Sequence, residues 1–137
     1  MTVIYPVIFT ELKDEKDTVL VSIPDLNGMT EGYGLIDAIK MAKDYIGNAL
    51  CTKRDCDFPK ATELQEIDLS KSEFAEYGKP FTSIIDVDIS AFRRTEKSKT
   101  VRRNITLPQW LDEMVTEAKI NVSAISQEAL KNELCVS

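Results

Sequence analysis

The sequence predicts an α+β fold in two parts: a β-β-β-α-β domain over residues 1–92 and a smaller β-α-α unit over 101–137, joined by a basic linker at 93–100. Three observations carry this. Several short runs alternate apolar with polar residues and are separated by turn-forming clusters, the pattern of half-buried strands. The stretch "LIDAIKMAKDYIGNAL" (35–50) has helical spacing instead. Finally, "TVRRNITLPQWLDEMV" (100–115) alternates up to Leu107 and repeats every three or four residues from Pro108 onward.

In order along the chain, "VIYPVIFTEL" (3–12) places Val3, Tyr5, Val7 and Phe9 on one side of a strand. The charged turn "KDEKD" leads into "TVLVSI" (18–23), completing a hairpin, and "PDLNG" (24–28) offers Asn27-Gly28 for a tight turn with positive φ. A short strand, "MTEGY", follows. The helix at 35–50 carries Leu35, Ala38, Ile39, Ala42, Tyr45, Ile46, Ala49 and Leu50 as one stripe, which should cover one face of the sheet. Residues 51–80 are irregular and polar, broken by Pro59 and Pro80, with a short helical turn at "SKSEFAEYG". "FTSIIDVDIS" (81–90) reads as a strand in which Ile85, Val87 and Ile89 alternate with Asp86 and Asp88. "RRTEKSKT" (93–100) has no apolar residue and reads as linker. Beyond it, Pro108 suits a helix's first turn. A helix at 108–119 presents Trp110, Leu111, Met114, Val115 and Ala118. Asn121 is a good N-cap for "VSAISQEALKNEL", which presents Ile125, Ala129, Leu130 and Leu134.

Composition bounds the function. With 43% apolar and 29% charged residues in 137, the chain is globular rather than disordered. No apolar run approaches the roughly 20 residues of a membrane span, and "MTVIYPVIF" lacks a signal-peptide pattern, so a cytoplasmic location is expected. Three cysteines, Cys51, Cys56 and Cys135, form no dense framework, which fits a reducing compartment. Histidine is absent, which removes the commonest general acid/base and metal ligand. No catalytic residue, metal site or cofactor is expected.

Charge is uneven. Residues 1–92 hold 9 Lys/Arg against 17 Asp/Glu, net −8, whereas "RRTEKSKTVRR" (93–103) is net +5 and the remainder net −3. A basic collar points to an anionic partner there, and an acidic body to a cationic partner elsewhere.

One strand and two short helices cannot bury a core alone, so the 101–137 unit must dimerise or dock; a helical hairpin completing the first domain is the alternative. If two copies pair their strands antiparallel, Ile105 and Leu107 turn inward, while Arg102, Asn104 and Thr106 of each chain form an outward two-stranded ribbon. Such a ribbon fits the DNA major groove, where Arg reads guanine, Asn reads adenine and Thr meets bases or the thymine methyl. Lys97, Lys99 and Arg103 would contact phosphates, as would the backbone N–H groups of Val122 and Ser123 at a helix start.

Residues 101–134, through "RRNITLP", Leu111, Met114 and "NVSAISQEAL", resemble the ribbon-helix-helix family of bacterial DNA-binding dimers. Arg103 departs from the pattern, holding an inward parity that is usually apolar. "YPVIF", "VSIPDLNGMTEGYGLIDAIKMAKDYIGNAL" and "IIDVDISAF" resemble the N-terminal domain of HicB-type antitoxins, with Met29 and the stretch 51–80 less well matched. That resemblance implies a partial ribonuclease-H-like fold that binds and blocks HicA, a small basic ribonuclease toxin. It also implies that the C-terminal dimer binds operator DNA and represses the shared promoter. Asp25, Glu31, Asp86 and Asp88 are then the acids expected to meet the toxin. Two other readings stand beside it: a free-standing repressor with a sensor domain, and a metal nuclease using Asp86 and Asp88 with the turn acids Asp25, Glu31 and Asp37, whose carboxylates would have to hold two ions about 4 Å apart.

Overall fold

The structure, a computed structural model, describes residues 1–96 and 98–136. It is a mixed α/β chain. Among the described residues one antiparallel sheet has the order β3-β2-β1-β4, built from β1 (Thr2–Leu12), β2 (Thr18–Ile23), β3 (Gly28–Tyr33) and β4 (Gly78–Asp88). Four α-helices accompany it: α1 (Leu35–Leu50), α2 (Ile89–Glu96), α3 (Gln109–Glu117) and α4 (Val122–Leu134). Among the described residues no helix is long and apolar enough to cross a membrane.

The alternation in β1 becomes a buried face. Val3, Tyr5, Val7 and Phe9 face α1 together with Val19, Val21 and Ile23 of β2 and Ile85 and Val87 of β4. Cross-strand register places Val3 beside Val87, Tyr5 beside Ile85 and Phe9 between Val21 and Phe81. The Phe9 and Phe81 rings stack with centroids 5.5 Å apart. Across from them α1 contributes Ala38, Ala42, Ile46 and Leu50, all fully buried. Each large aliphatic side chain removed from water here is worth about 1.5–3 kcal/mol.

Two glycines set how closely α1 approaches. A Cβ on Gly32 would lie 2.5 Å from the Ala38 Cα, so strand and helix meet backbone to backbone. The Tyr45 ring lies directly over Gly28. The expected Asn27-Gly28 turn is therefore realised differently. Pro24–Leu26 form a 3-10 turn, Asn27 alone takes the left-handed conformation at φ 50°, and Gly28 already belongs to β3.

The expected strand at 81–90 and linker from Arg93 need correction. β4 ends at Asp88, and Ile89–Glu96 are helical. The Asp88 carboxylate caps this helix, accepting the Ala91 N–H at 3.0 Å. Ile89, Phe92 and Arg93 share the side that returns to the domain: Ile89 is fully buried, and the Phe92 ring covers Gly47 of α1. Arg93 donates from Nε to the Cys51 carbonyl at 3.0 Å, and from Nη2 to the Lys53 carbonyl at 2.9 Å and to Asp55 Oδ1 at 3.0 Å. It thereby satisfies carbonyls at the α1 C-terminus, a favourable place for a cation.

The irregular stretch after α1 closes part of the second sheet face. It contains 3-10 turns at Asp55–Asp57, Leu64–Glu66 and Leu69–Lys71, the last near the predicted helical turn. Residues 66–73 lie beside Ile8 and Ser22, which are buried although their parity is opposite to the main core.

Candidate functional site

The four acids expected to meet a partner are not gathered in one place. Asp25, in the 3-10 turn after β2, accepts from the Thr62 hydroxyl at 2.6 Å and from the Thr62 N–H at 3.1 Å. It pins the irregular stretch to the sheet. Nearby, the Tyr5 hydroxyl donates to the Pro59 carbonyl at 2.6 Å, and burial, with the Asp25 carboxylate as a second cause, pushes the Tyr5 pKa up. Asp88 is engaged as the α2 cap; the Ala91 N–H holds its carboxyl below the usual range, helped by the N-terminal ammonium and Arg94. Glu31 and Asp86 are exposed, on opposite edge strands. Through the register, Glu31 aligns with Thr10 by way of Leu20, and Asp86 aligns with Ile4. They are three strand spacings and six residues apart, roughly 20 Å or more. Asp86 approaches Lys43 at 3.8 Å, with both side chains largely in solvent, a pair of little energetic weight. Among the described residues no group of three or more Cys, Asp or Glu side chains is arranged to hold a metal ion.

Replacing Asp25 with Ala strands two Thr62 donors at a half-buried position. The expected cost is about 1–3 kcal/mol, read as a lower urea midpoint together with faster amide exchange at Thr62. A change confined to other regions would count against the pinning role.

Sequence reasoning overlooked the apolar surface of the second sheet face. Ile4 is 53% exposed and Ile84 48%, adjacent across β1 and β4. The signal was present in "VIYPVIF" and "SIIDV", where neighbouring apolar residues occupy both parities. Arg93 was also overlooked as an anchor. Its cue is Asp88 preceding an Ile89/Phe92 pair at helical spacing.

The C-terminal unit differs in kind. The strand expected up to Leu107 is not formed: residues 98–107 are in no regular element and pair with none of the described residues. α4 starts as expected, with the Asn121 side chain accepting the Ala124 N–H at 3.1 Å and leaving Val122 and Ser123 in the first turn. None of the described residues 98–136 is buried. Ile105, Leu107, Leu111, Val115, Val122 and Ile125 instead line an open hollow of about 320 Å³. Arg102, Arg103, Asn104 and Thr106 are all exposed, as is Lys99. Lys97, the remaining predicted phosphate contact, lies outside the described residues.

An acidic α/β part with a covered core is followed by a helical pair whose apolar face none of the other described residues covers. The sequence profile of the HicB_like antitoxins of bacterial toxin–antitoxin systems matches residues 5–129, and the chain belongs to that family. No curated protein matches the sequence significantly. Among solved structures, a chain of a toxin–antitoxin complex from Streptococcus pneumoniae shares the fold at TM-score 0.61, with 23% identity over 97% of this chain and 99% of that one. The antitoxin HicB of Burkholderia pseudomallei aligns at TM-score 0.48, with 22% identity over 96% of each chain.

Proposed function

We propose that this antitoxin binds and occludes a small HicA-like ribonuclease toxin through residues 1–92, a partial ribonuclease-H-like domain, and represses its own operon through residues 101–137. In this reading the protein works in the cytoplasm, without a cofactor or catalysis of its own. Two copies of the C-terminal unit form a ribbon-helix-helix homodimer. Arg102, Asn104 and Thr106 of each copy read base edges in the major groove, while Lys97, Lys99, Arg103 and the N–H groups of Val122 and Ser123 hold phosphates. Residues 93–96, being helical and anchored by Arg93, go with the first activity rather than with a linker.

The observation that carries the reading is the uncovered hollow around Ile105, Leu107, Leu111 and Val115. Its apolar lining has the parity opposite to Arg102, Asn104 and Thr106, so closing it with a second copy turns that polar row outward. The net charge of −8 over residues 1–92 supports a cationic partner for the other domain, whose association would be steered electrostatically and weaken with salt.

Co-expression with the small basic protein encoded by an adjacent open reading frame tests both activities. The expected result is one purified complex, cells protected from the toxin, and a gel shift on the operon's own promoter. Toxin fully active on RNA in the presence of excess antitoxin would end the occlusion reading.

A further inference from the structure

α1 covers one face of the sheet, and on the other face Pro6, Ile8, Thr10, Thr18 and Ser22 are buried while Ile4 and Ile84 are not. That second face holds a cleft of about 300 Å³ floored by Ile4, Pro6 and Ile84 and walled by Ala61 and Leu64. Register puts Pro6 opposite Ile84 and Ile4 opposite Asp86, so apolar floor and acidic margin lie on one face. Glu63 stands at the opposite wall, exposed. Ile4 and Ile84 stand half in water beside one another on this face, which costs burial that the fold does not recover internally.

We propose that this cleft is the point where the 1–92 domain grips its toxin: an apolar side chain of the partner enters between Ile4 and Ile84, and cationic groups around it meet Asp86 and Glu63. The inference rests on the antitoxin reading above and names the surface that performs it. Charge selects the occupant. A domain of net −8 repels nucleic acid and a second copy of itself, but attracts a basic protein. Desolvation by the apolar centre strengthens the carboxylate–cation pairs at the margin, which would be weak on an open surface. Asp86 is suited to this because its ion pair with Lys43, at 3.8 Å, is long and solvated.

The test uses the full-length antitoxin and the purified product of the adjacent small basic open reading frame. Ile84→Lys and Ile4→Lys are expected to weaken binding about tenfold or more, as central apolar contacts do. Ile84→Glu should weaken it less, because it preserves the sign of the margin. Glu63→Lys, at an exposed position, should give a severalfold loss. Ile36→Lys, on α1 and 88% exposed, should leave binding unchanged. Circular dichroism and melting of the free proteins provide the folding control. Wild-type affinity in both Ile84→Lys and Glu63→Lys would overturn this surface while leaving the antitoxin reading intact. Absence of binding by the wild type would end both. A smaller assembly of toxin-free Ile84→Lys in sizing experiments would assign the cleft to a second copy and overturn the proposal.

Discussion

Leu111→Asp and Ile125→Asp are expected to abolish dimerisation and, with it, operator binding, while leaving the first domain folded. Both residues line the C-terminal hollow, and in a two-fold interface each substitution enters twice. A carboxylate placed in an apolar interface without a partner costs several kcal/mol, which a unit of this size cannot absorb. Sizing chromatography should therefore show monomer, and gel shifts should show no specific complex. Arg102→Ala and Asn104→Ala separate reading from assembly. They should leave the dimer intact, cost about 1–3 kcal/mol in operator affinity, and relax preference at one base position each. Lys99→Ala should instead weaken all DNA sequences alike and lower the salt slope by about one. An Ile125→Asp protein that remained dimeric and bound operator normally would refute the ribbon arrangement.

The second large effect lies in the other domain, where opposite errors of volume should both destabilise. Ile46 is fully buried at the centre of the α1 face. Ile46→Ala leaves a cavity, with an expected loss of about 2–5 kcal/mol depending on how far the sheet collapses. Gly32→Ala adds one carbon where the nearest atoms, the Ala38 Cα and N at 2.5 Å, are backbone and cannot rotate away. The helix must lift from β3, at an expected cost of about 1–3 kcal/mol. Urea unfolding of each variant should lower the midpoint with little change in slope. A Gly32→Ala protein as stable as the wild type would show that the close approach is not what positions α1.

Much of the first domain was legible because its pattern and its environment agree. The alternation of Val3, Tyr5, Val7 and Phe9 and the stripe through Ala38, Ala42, Ile46 and Leu50 define two complementary faces, and the helix ends fall at Leu35 and Leu50 as the stripe implies. Asn121 announced α4 by chemistry alone. The segment from Ile89 to Glu96 was misread because its polar residues outnumber its apolar ones, and composition conceals a helix that needs only Ile89, Phe92 and Arg93 to dock.

The acids show the same division. Sequence identifies Asp25, Glu31, Asp86 and Asp88 as negative charges beside strands or turns, but a carboxylate's role depends on which donors the fold brings to it. Asp25 meets Thr62, distant in sequence, and Asp88 meets the start of a helix that composition did not disclose. Glu31, Asp86 and Asp88 are all exposed, Glu31 and Asp86 on opposite edges of the sheet.

By itself the sequence determined the four strands and α1 of the first domain, the change of period at Leu107 and the charge of each part. These follow from local spacing and from counting charged residues. Tertiary structure alone decided that β4 returns beside β1, that the stretch after α1 packs on the second sheet face, and that Ile4 and Ile84 stay open there. Those outcomes depend on contacts between residues dozens of positions apart, whose energies no local period encodes.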